Sequence, residues 1–259
     1  MQNGVEGNEM NVKRYLERIG IVDTMAVDYD SLRLIQLRHM LSVPFENLHI
    51  TSRIPIKLDL ESLYNKIVES RRGGYCYELN GLLAWLLMRI GYQVSMLSGQ
   101  VLRDDGSYGP EFDHMVLMVH IDKDYIVDVG FGDSVRSPLP LTGDIVTDVS
   151  GSYRILHEPD SEVLFFQKWI NGDWISEFRF TLMPRHIEEF DHMNTYQQTS
   201  PASHFTNNLI VTIATLRGRT SISGDSFIET LGSDKKKRPI RSTDERNSLL
   251  ERCFGIIVR

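Results

Sequence analysis

Cysteine is scarce in this chain: Cys76 and Cys253 are the only two among 259 residues. Two thiols cannot build a disulfide framework, so a reducing compartment, the cytoplasm, is expected. Long apolar runs are missing as well, and without about 18 consecutive apolar residues no membrane-spanning helix is expected. A positive surplus is absent, since the formal net charge is -7. That argues against nucleic acid and anionic membrane as partners, and leaves room only for a local basic pocket. No clustered Cys/His spacing of zinc type appears, so no metal is expected. The first residues, MQNGVEGNEM, carry neither a basic n-region nor an apolar core, so residues 1–9 read as a mobile tail, not a signal peptide, with Met10 as a second possible start. Internal repeats and low-complexity linkers are also lacking.

What is present is an ordinary globular composition, 41% hydrophobic and 24% charged, which excludes wholesale disorder. The length fits one to two domains at about 150 residues each. The first third has helical periodicity. Residues 12–19 place Val12, Tyr15, Leu16 and Ile19 on one face, closed by Gly20. Asp30 or Ser31 is expected to cap the next helix, which Pro44 ends. Residues 58–69 read as a third amphipathic helix, and residues 81–90 as a buried one stopped by Gly91.

From Tyr92 the period changes to two. Residues 93–101, 115–121 and 125–129 read as strands, with Asp122-Lys123-Asp124 as a turn. Residues 164–169 and 174–180 form a hairpin around Asn171-Gly172. The stretch from 91 to 205 is expected to be mostly β. Beyond it come a strand at LIVTIATL, a loop at GSDKKKRP and a short helix over 243–253. Within that loop Lys235-Lys236-Lys237-Arg238 reads as a solvated face, with contact to an anionic ligand as the alternative.

The segment RRGGYCYELN, residues 71–80, carries the chemistry. Two glycines permit an unusual turn or close backbone approach. Cys76 falls near the start of the helix that runs to Ile90, where the positive end of the helix dipole favours a thiolate, the form that acts as nucleophile. A buried, inert cysteine is the competing reading. A nucleophilic thiol needs a base, and of the eight histidines His114 stands out. It opens the strand MVLMV directly after a loop rich in turn residues. His120 lies on the same strand face and competes with it, but sits beside the hairpin turn. Asp128, inside an apolar strand, is costly to bury unless paired. It can orient a histidine or cap the Gly130-Phe131-Gly132 turn. In a regular hairpin centred on Lys123, His114 and Asp128 are offset by four residues, about 13 Å, so a bulge, a wide turn or strong twist is needed to bring them together.

These residues, with PFENL at 44–48, IVDVGFG at 126–132 and MNTYQQTSPASHF at 193–205, resemble the arylamine N-acetyltransferases. The matching pieces run in the family's order from about residue 12 to 220. Tyr77, where phenylalanine is common, and Arg217, where an acidic residue is usual, are departures. The resemblance implies an α+β fold with a papain-like cysteine-transferase core. Its parts are a helical bundle carrying the nucleophile (1–90), a β-barrel-like domain carrying His and Asp (91–205) and an α/β lid (206–259). It implies a Cys76, His114, Asp128 triad with Arg72 and Glu78 supporting the cysteine loop. Phe45, Val101 and Phe131 would line the acceptor pocket, with Tyr196 and Gly132 on the coenzyme side. The implied reaction is ping-pong acetyl transfer from acetyl-CoA to arylamines or aryl hydrazines through an acetyl-cysteine, with a place in xenobiotic metabolism and a monomeric or weakly oligomeric state. Two other classes remain open at this stage: a papain-like hydrolase or transglutaminase using the same triad, and a binding protein whose cysteine is merely buried. The papain-type signature around the cysteine is absent.

Overall fold

The structure, a computed structural model, describes residues 10–232 and 234–258. The tail at 1–9 lies outside the described residues. Helix α1, Val12–Arg18, is capped by Asn11, whose side chain accepts from the Arg14 N–H at 3.2 Å. Helix α2, Tyr29–Ser42, is capped by Asp28, not by Asp30 or Ser31. The Asp28 carboxylate accepts the Ser31 N–H at 2.8 Å, which places Ser31 inside the first turn. Pro44 disfavours helical backbone at Val43, and the helix stops there.

The short strand β1, Phe45–Glu46, precedes α3, Leu48–Thr51. Helix α4, Leu60–Tyr64, is capped by Asp59 and gives way to a π-helical turn over Asn65–Glu69, so residues 58–69 are not one regular helix. Helix α5, Cys76–Ile90, is buried along almost its whole length, and Gly91 ends it in the left-handed conformation at φ 119°.

The next eight strands form one antiparallel sheet: β2 (Gln93–Val101), β3 (His114–His120), β4 (Asp124–Val127), β5 (Leu139–Pro140), β6 (Val146–Asp148), β7 (Gly151–His157), β8 (Leu164–Ile170) and β9 (Asp173–Phe180). Their order is β5-β4-β3-β2-β9-β8-β7-β6, and the sheet curls until β5 packs on β7. The result is a nearly closed barrel. Alternation on β3 divides two cores. Met115, Leu117 and Val119 face the helices, while Val116 faces the barrel interior with Leu97, Phe166 and Phe178.

The polar run after β9 contains helices, contrary to the expectation of a mostly β stretch to residue 205. A 3₁₀ turn at Ile187–Phe190 leads into α6, Asp191–Thr199, and then α7, His204–Asn207. Asn194 and Gln197 are buried on α6, so polar side chains dock much of this helix and apolar periodicity does not announce it.

A second antiparallel sheet closes the chain. Strands β10 (Ile210–Thr215), β11 (Gly218–Ser223), β12 (Ser226–Leu231) and β13 (Asp234–Pro239) extend from β1 in the order β1-β10-β11-β12-β13. The lysine-rich segment is therefore an edge strand, paired with β12 from Leu231–Asp234 to Ser226–Pro239, and not a loop. Helix α8, Thr243–Phe254, covers this sheet with Leu249, Leu250 and Phe254 over Val211, Ile222 and Phe227. Because Phe45 pairs with Thr212 and bridges to Gly74, β1 ties the cysteine segment to this C-terminal sheet.

Candidate active site

Gly73 and Gly74 have no room for side chains. A Cβ on Gly73 would lie 2.0 Å from the Pro44 carbonyl oxygen, and one on Gly74 would lie 2.7 Å from Glu78 Cβ. This close approach lets the Glu46 N–H donate to the Gly74 carbonyl at 2.8 Å. Two buried carboxylates then fix the segment. Glu46 takes Arg72 Nη2 at 2.8 Å and the Leu48 N–H at 2.7 Å. Glu78 takes Lys66 Nζ at 2.7 Å and the Tyr75 N–H at 3.1 Å. Burial pushes the Glu78 carboxyl up and Lys66 only partly offsets it. At Glu46, burial is outweighed by Lys66, Arg72 and the Leu48 N–H, and the carboxyl sits below its ordinary range.

Cys76 opens α5 and is buried. Burial pushes its thiol well up, against the expectation of a helix-stabilised thiolate. The N–H of Met115 opposes that shift and the negative charge of Asp128 adds to it. Desolvation is the largest cause of this shift, because almost no water reaches the sulfur.

His114 and Asp128 are bonded, Nε2 to Oδ2, at 2.7 Å and both are buried. The four-residue offset expected for the hairpin is not present. Leu117 pairs with Val127, so in the same register Asp128 falls opposite Val116, two residues from His114. The turn occupies residues 121–123, and Asp124 already belongs to β4. Diagonal neighbours on one face of a hairpin are about 7–8 Å apart, within reach of a histidine and an aspartate. No bulge between these strands is required. Asp128 also caps the turn that follows, since Oδ1 accepts the Gly130 N–H at 2.7 Å. The orienting and capping readings thus both describe this one carboxylate. His120, the competing histidine, is exposed and pairs with Asp124 at 2.8 Å.

With Nε2 engaged by Asp128, Nδ1 is the ring atom left for another partner. The imidazole packs edge-on against Phe131 at 5.2 Å and tilted against Phe178 at 5.0 Å. Gly130 has to be glycine, because a Cβ there would lie 2.7 Å from Cys76 Cα.

Asn80, the last residue of the 71–80 segment, is a functional residue that the sequence reasoning missed. Its Nδ2 donates to Asp128 Oδ1 at 2.8 Å and to the Met115 carbonyl at 2.7 Å, and its Oδ1 accepts the Val129 N–H at 3.0 Å. The available signal was its position four residues after Cys76, one helical turn along the same face. Gln197 was also missed: it donates to Asp113 Oδ1 at 2.9 Å and accepts from Ser203 Oγ at 2.6 Å.

Cys76 and His114 border a cavity of about 880 Å³, in the range of small-molecule sites. Phe45, Val101, Phe131, Gly132 and Tyr196 all line it. Lys235 reaches its rim, while Lys236, Lys237 and Arg238 lie exposed along β13. Among the described residues no group of three or more His, Cys, Asp or Glu could hold a metal ion, and no helix is long and apolar enough to cross a membrane.

A sequence profile described as N-acetyltransferase matches residues 28–259. The chain is 37% identical over 223 residues to an arylamine N-acetyltransferase of Mycolicibacterium smegmatis, covering 83% of this chain and 80% of that protein. A crystal structure of a cysteine-to-glutamine variant of the Mycobacterium smegmatis enzyme superposes with a TM-score of 0.89 at 32% identity, over 95% of this chain and 93% of the other. The arylamine N-acetyltransferase of Mycobacterium marinum, solved in complex with CoA, gives a TM-score of 0.88 at 29% identity, over 95% and 93% of the two chains.

Proposed function

The chain belongs to the arylamine N-acetyltransferase family and is an acyltransferase, and from that premise we propose that it carries acetyl groups from acetyl-CoA to arylamines or aryl hydrazines by way of Cys76. The observation that carries this reading is the His114–Asp128 bond at 2.7 Å beside a buried cysteine, on the wall of one aromatic-lined cavity.

In this reading His114 takes the Cys76 proton, and Asp128 stabilises the resulting imidazolium. The thiolate attacks the thioester carbonyl, and the Cys76 N–H at the open end of α5 stabilises the oxyanion. The tetrahedral adduct collapses. The CoA thiolate departs with the imidazolium proton, leaving acetyl-Cys76 and neutral His114. An arylamine, uncharged near neutral pH, then attacks the acetyl carbon. His114 accepts the amine proton, the Cys76 thiolate leaves, and the amide product is released. Phe45, Val101 and Phe131 supply flat apolar walls for the acceptor ring. Tyr196 and Gly132 serve the coenzyme side. Cys76 and Cys253, both free thiols, suit a reducing cytoplasm in which such an enzyme would act on foreign aryl amines.

The test is the intact mass after brief exposure to acetyl-CoA and then to aniline. One acetyl group should appear on Cys76, vanish when aniline is added, and be absent in Cys76→Ala. A reduced thiol that gains no acetyl group sinks the proposal. Peptide cleavage by the same preparation would then put a hydrolase in its place.

A further inference from the structure

The loop that follows Asp128 carries Phe131 and Gly132 into the cavity wall, and two arginines are exchanged across its far end. From the loop, buried Arg136 donates through Nη1 and Nη2 to the carbonyls of Thr215 and Gly218, at the tip of the β10–β11 hairpin. From the hairpin, Arg219 donates back. Its Nε reaches Asp133 Oδ1 at 3.1 Å and its Nη1 reaches Thr212 Oγ1 at 3.0 Å. Thr212 Oγ1 in turn lies 2.7 Å from Ser221 Oγ.

Arg219 is only 9% exposed, and its buried Nη2 has no hydrogen-bond partner among the described residues. A guanidinium held this way is costly, because burial disfavours its charge. An apolar side chain would fill the seam between loop and sheet more cheaply. What it would not provide is the directional bond to Asp133 that sets the loop's distance from β11, with the same guanidinium braced within the sheet on Thr212 of β10. That distance bears on the cavity directly: Phe131, Gly132 and Asp133 border it from the loop, and Thr212 and Arg219 border it from the sheet. A Cβ on Gly132 would meet Thr212 Cγ2 at 3.7 Å and Phe45 at 4.0 Å, so a single added methyl group would bring the two walls into contact there.

We propose that Arg219, acting through Asp133 and Thr212, is a positioning residue that sets the width of the cleft in front of Cys76. It thereby limits the size of the aromatic acceptor admitted beside Phe131. Arg136 holds the hairpin by main-chain carbonyls and forms the fixed side of the seam, while the Asp133–Arg219 pair, with Asp133 about half exposed, is the adjustable side. The consequence for acceptor size rests on the acetyl-transfer reading, whereas the width itself does not.

The first readout is therefore independent of acetyl transfer. The rate of Cys76 alkylation by N-phenylmaleimide is divided by the rate with iodoacetamide, Cys253 being followed separately by peptide mass. In Asp133→Asn and in Arg219→Met this ratio should rise by at least about threefold. The double variant should show no more than either single change, as expected for partners in one interaction. In parallel, KM for a two-ring arylamine relative to aniline should fall in the same variants. Ratios within about twofold of the unaltered protein, or effects that multiply in the double variant, overturn the proposal. Should Arg219→Met fail to fold, Asp133→Asn, at a half-exposed position, decides alone. An unaltered protein that takes no acetyl group would refute the acetyl-transfer reading and leave the alkylation ratio to judge the cleft.

Discussion

A thiol shut away from water behaves in opposite ways with and without a partner that takes its proton. Burial pushes Cys76 well above the ordinary thiol range, so alone it would react slowly at neutral pH. Reactivity near neutrality has to come from His114, which removes the proton and leaves an ion pair in place of a lone anion. His114→Asn is expected to cut alkylation of Cys76 by iodoacetamide at pH 7 by about a hundredfold, the lower end of the range for loss of a positioned base. What remains should climb only at alkaline pH, because the shift is upward. A rate–pH curve unchanged from the unaltered protein would show that the histidine does not take this proton. At this scale Cys76, His114 and Asp128 were legible because each broke its local pattern: a thiol at a helix start, an imidazole at a strand mouth, a carboxylate in an apolar run. Arg219 broke none. Its partner Asp133 is 86 positions away in sequence, and no local periodicity carries such a pairing.

At the start of α5 one carboxylate, Glu78, both caps the helix through the Tyr75 N–H and pairs with Lys66 from another segment. Glu78 is almost fully buried and Lys66 nearly so. Removing one partner of such a pair strands the other charge away from water, at a cost of about 3–5 kcal/mol. Glu78→Ala is expected to lower the urea midpoint accordingly, and Glu78→Ala with Lys66→Met to recover most of the loss. Equal midpoints for the single and double variants would mean that Lys66 relaxes to solvent. The elements that sequence periodicity defined well are those with apolar stripes: α5, β2, β3 and the hairpin of β8 and β9. Helix α6 was not legible because Asn194 and Gln197 anchor it through hydrogen bonds. Strand β13 was not legible because all six of its residues are exposed and its order comes from pairing with β12.

Across the whole molecule, acid is the expected weakness. His39 lies fully buried in the helical core, with Nε2 3.0 Å from the Tyr15 hydroxyl and Nδ1 without a hydrogen-bond partner among the described residues. Burial, reinforced by Arg18, pulls its pKa down to about 3. An unfolded histidine titrates near 6.5, so below that pH the unfolded chain binds a proton that the folded chain refuses. Stability from this group is fully present above about pH 6.5 and is lost progressively down to about 3. By pH 5 the loss amounts to about 2 kcal/mol from the difference in proton binding. His39→Gln should flatten the fall of Tm between pH 7 and 5, and an unchanged slope would assign that fall to other groups. The buried side chains form three clusters, and the first of them joins the N-terminal helices to Met115, Leu117 and Phe190 from beyond residue 90 and to Ala214 of the C-terminal sheet. The seam between the barrel loop and the C-terminal sheet could not be foreseen, since it is built from polar contacts between segments that each read as ordinary.

The outermost strand of the C-terminal sheet bears on how copies of the protein behave in crowded solution. An open strand edge offers free main-chain donors and acceptors to any similar edge that drifts past. Here that edge is written in Lys235, Lys236, Lys237 and Arg238 on a chain that is acidic as a whole. Two such edges repel each other before their backbones can zip together, although either is drawn to the acidic flanks of a neighbour. The chain therefore carries its own protection against fibre growth along this sheet, one that weakens as added salt screens the lysines.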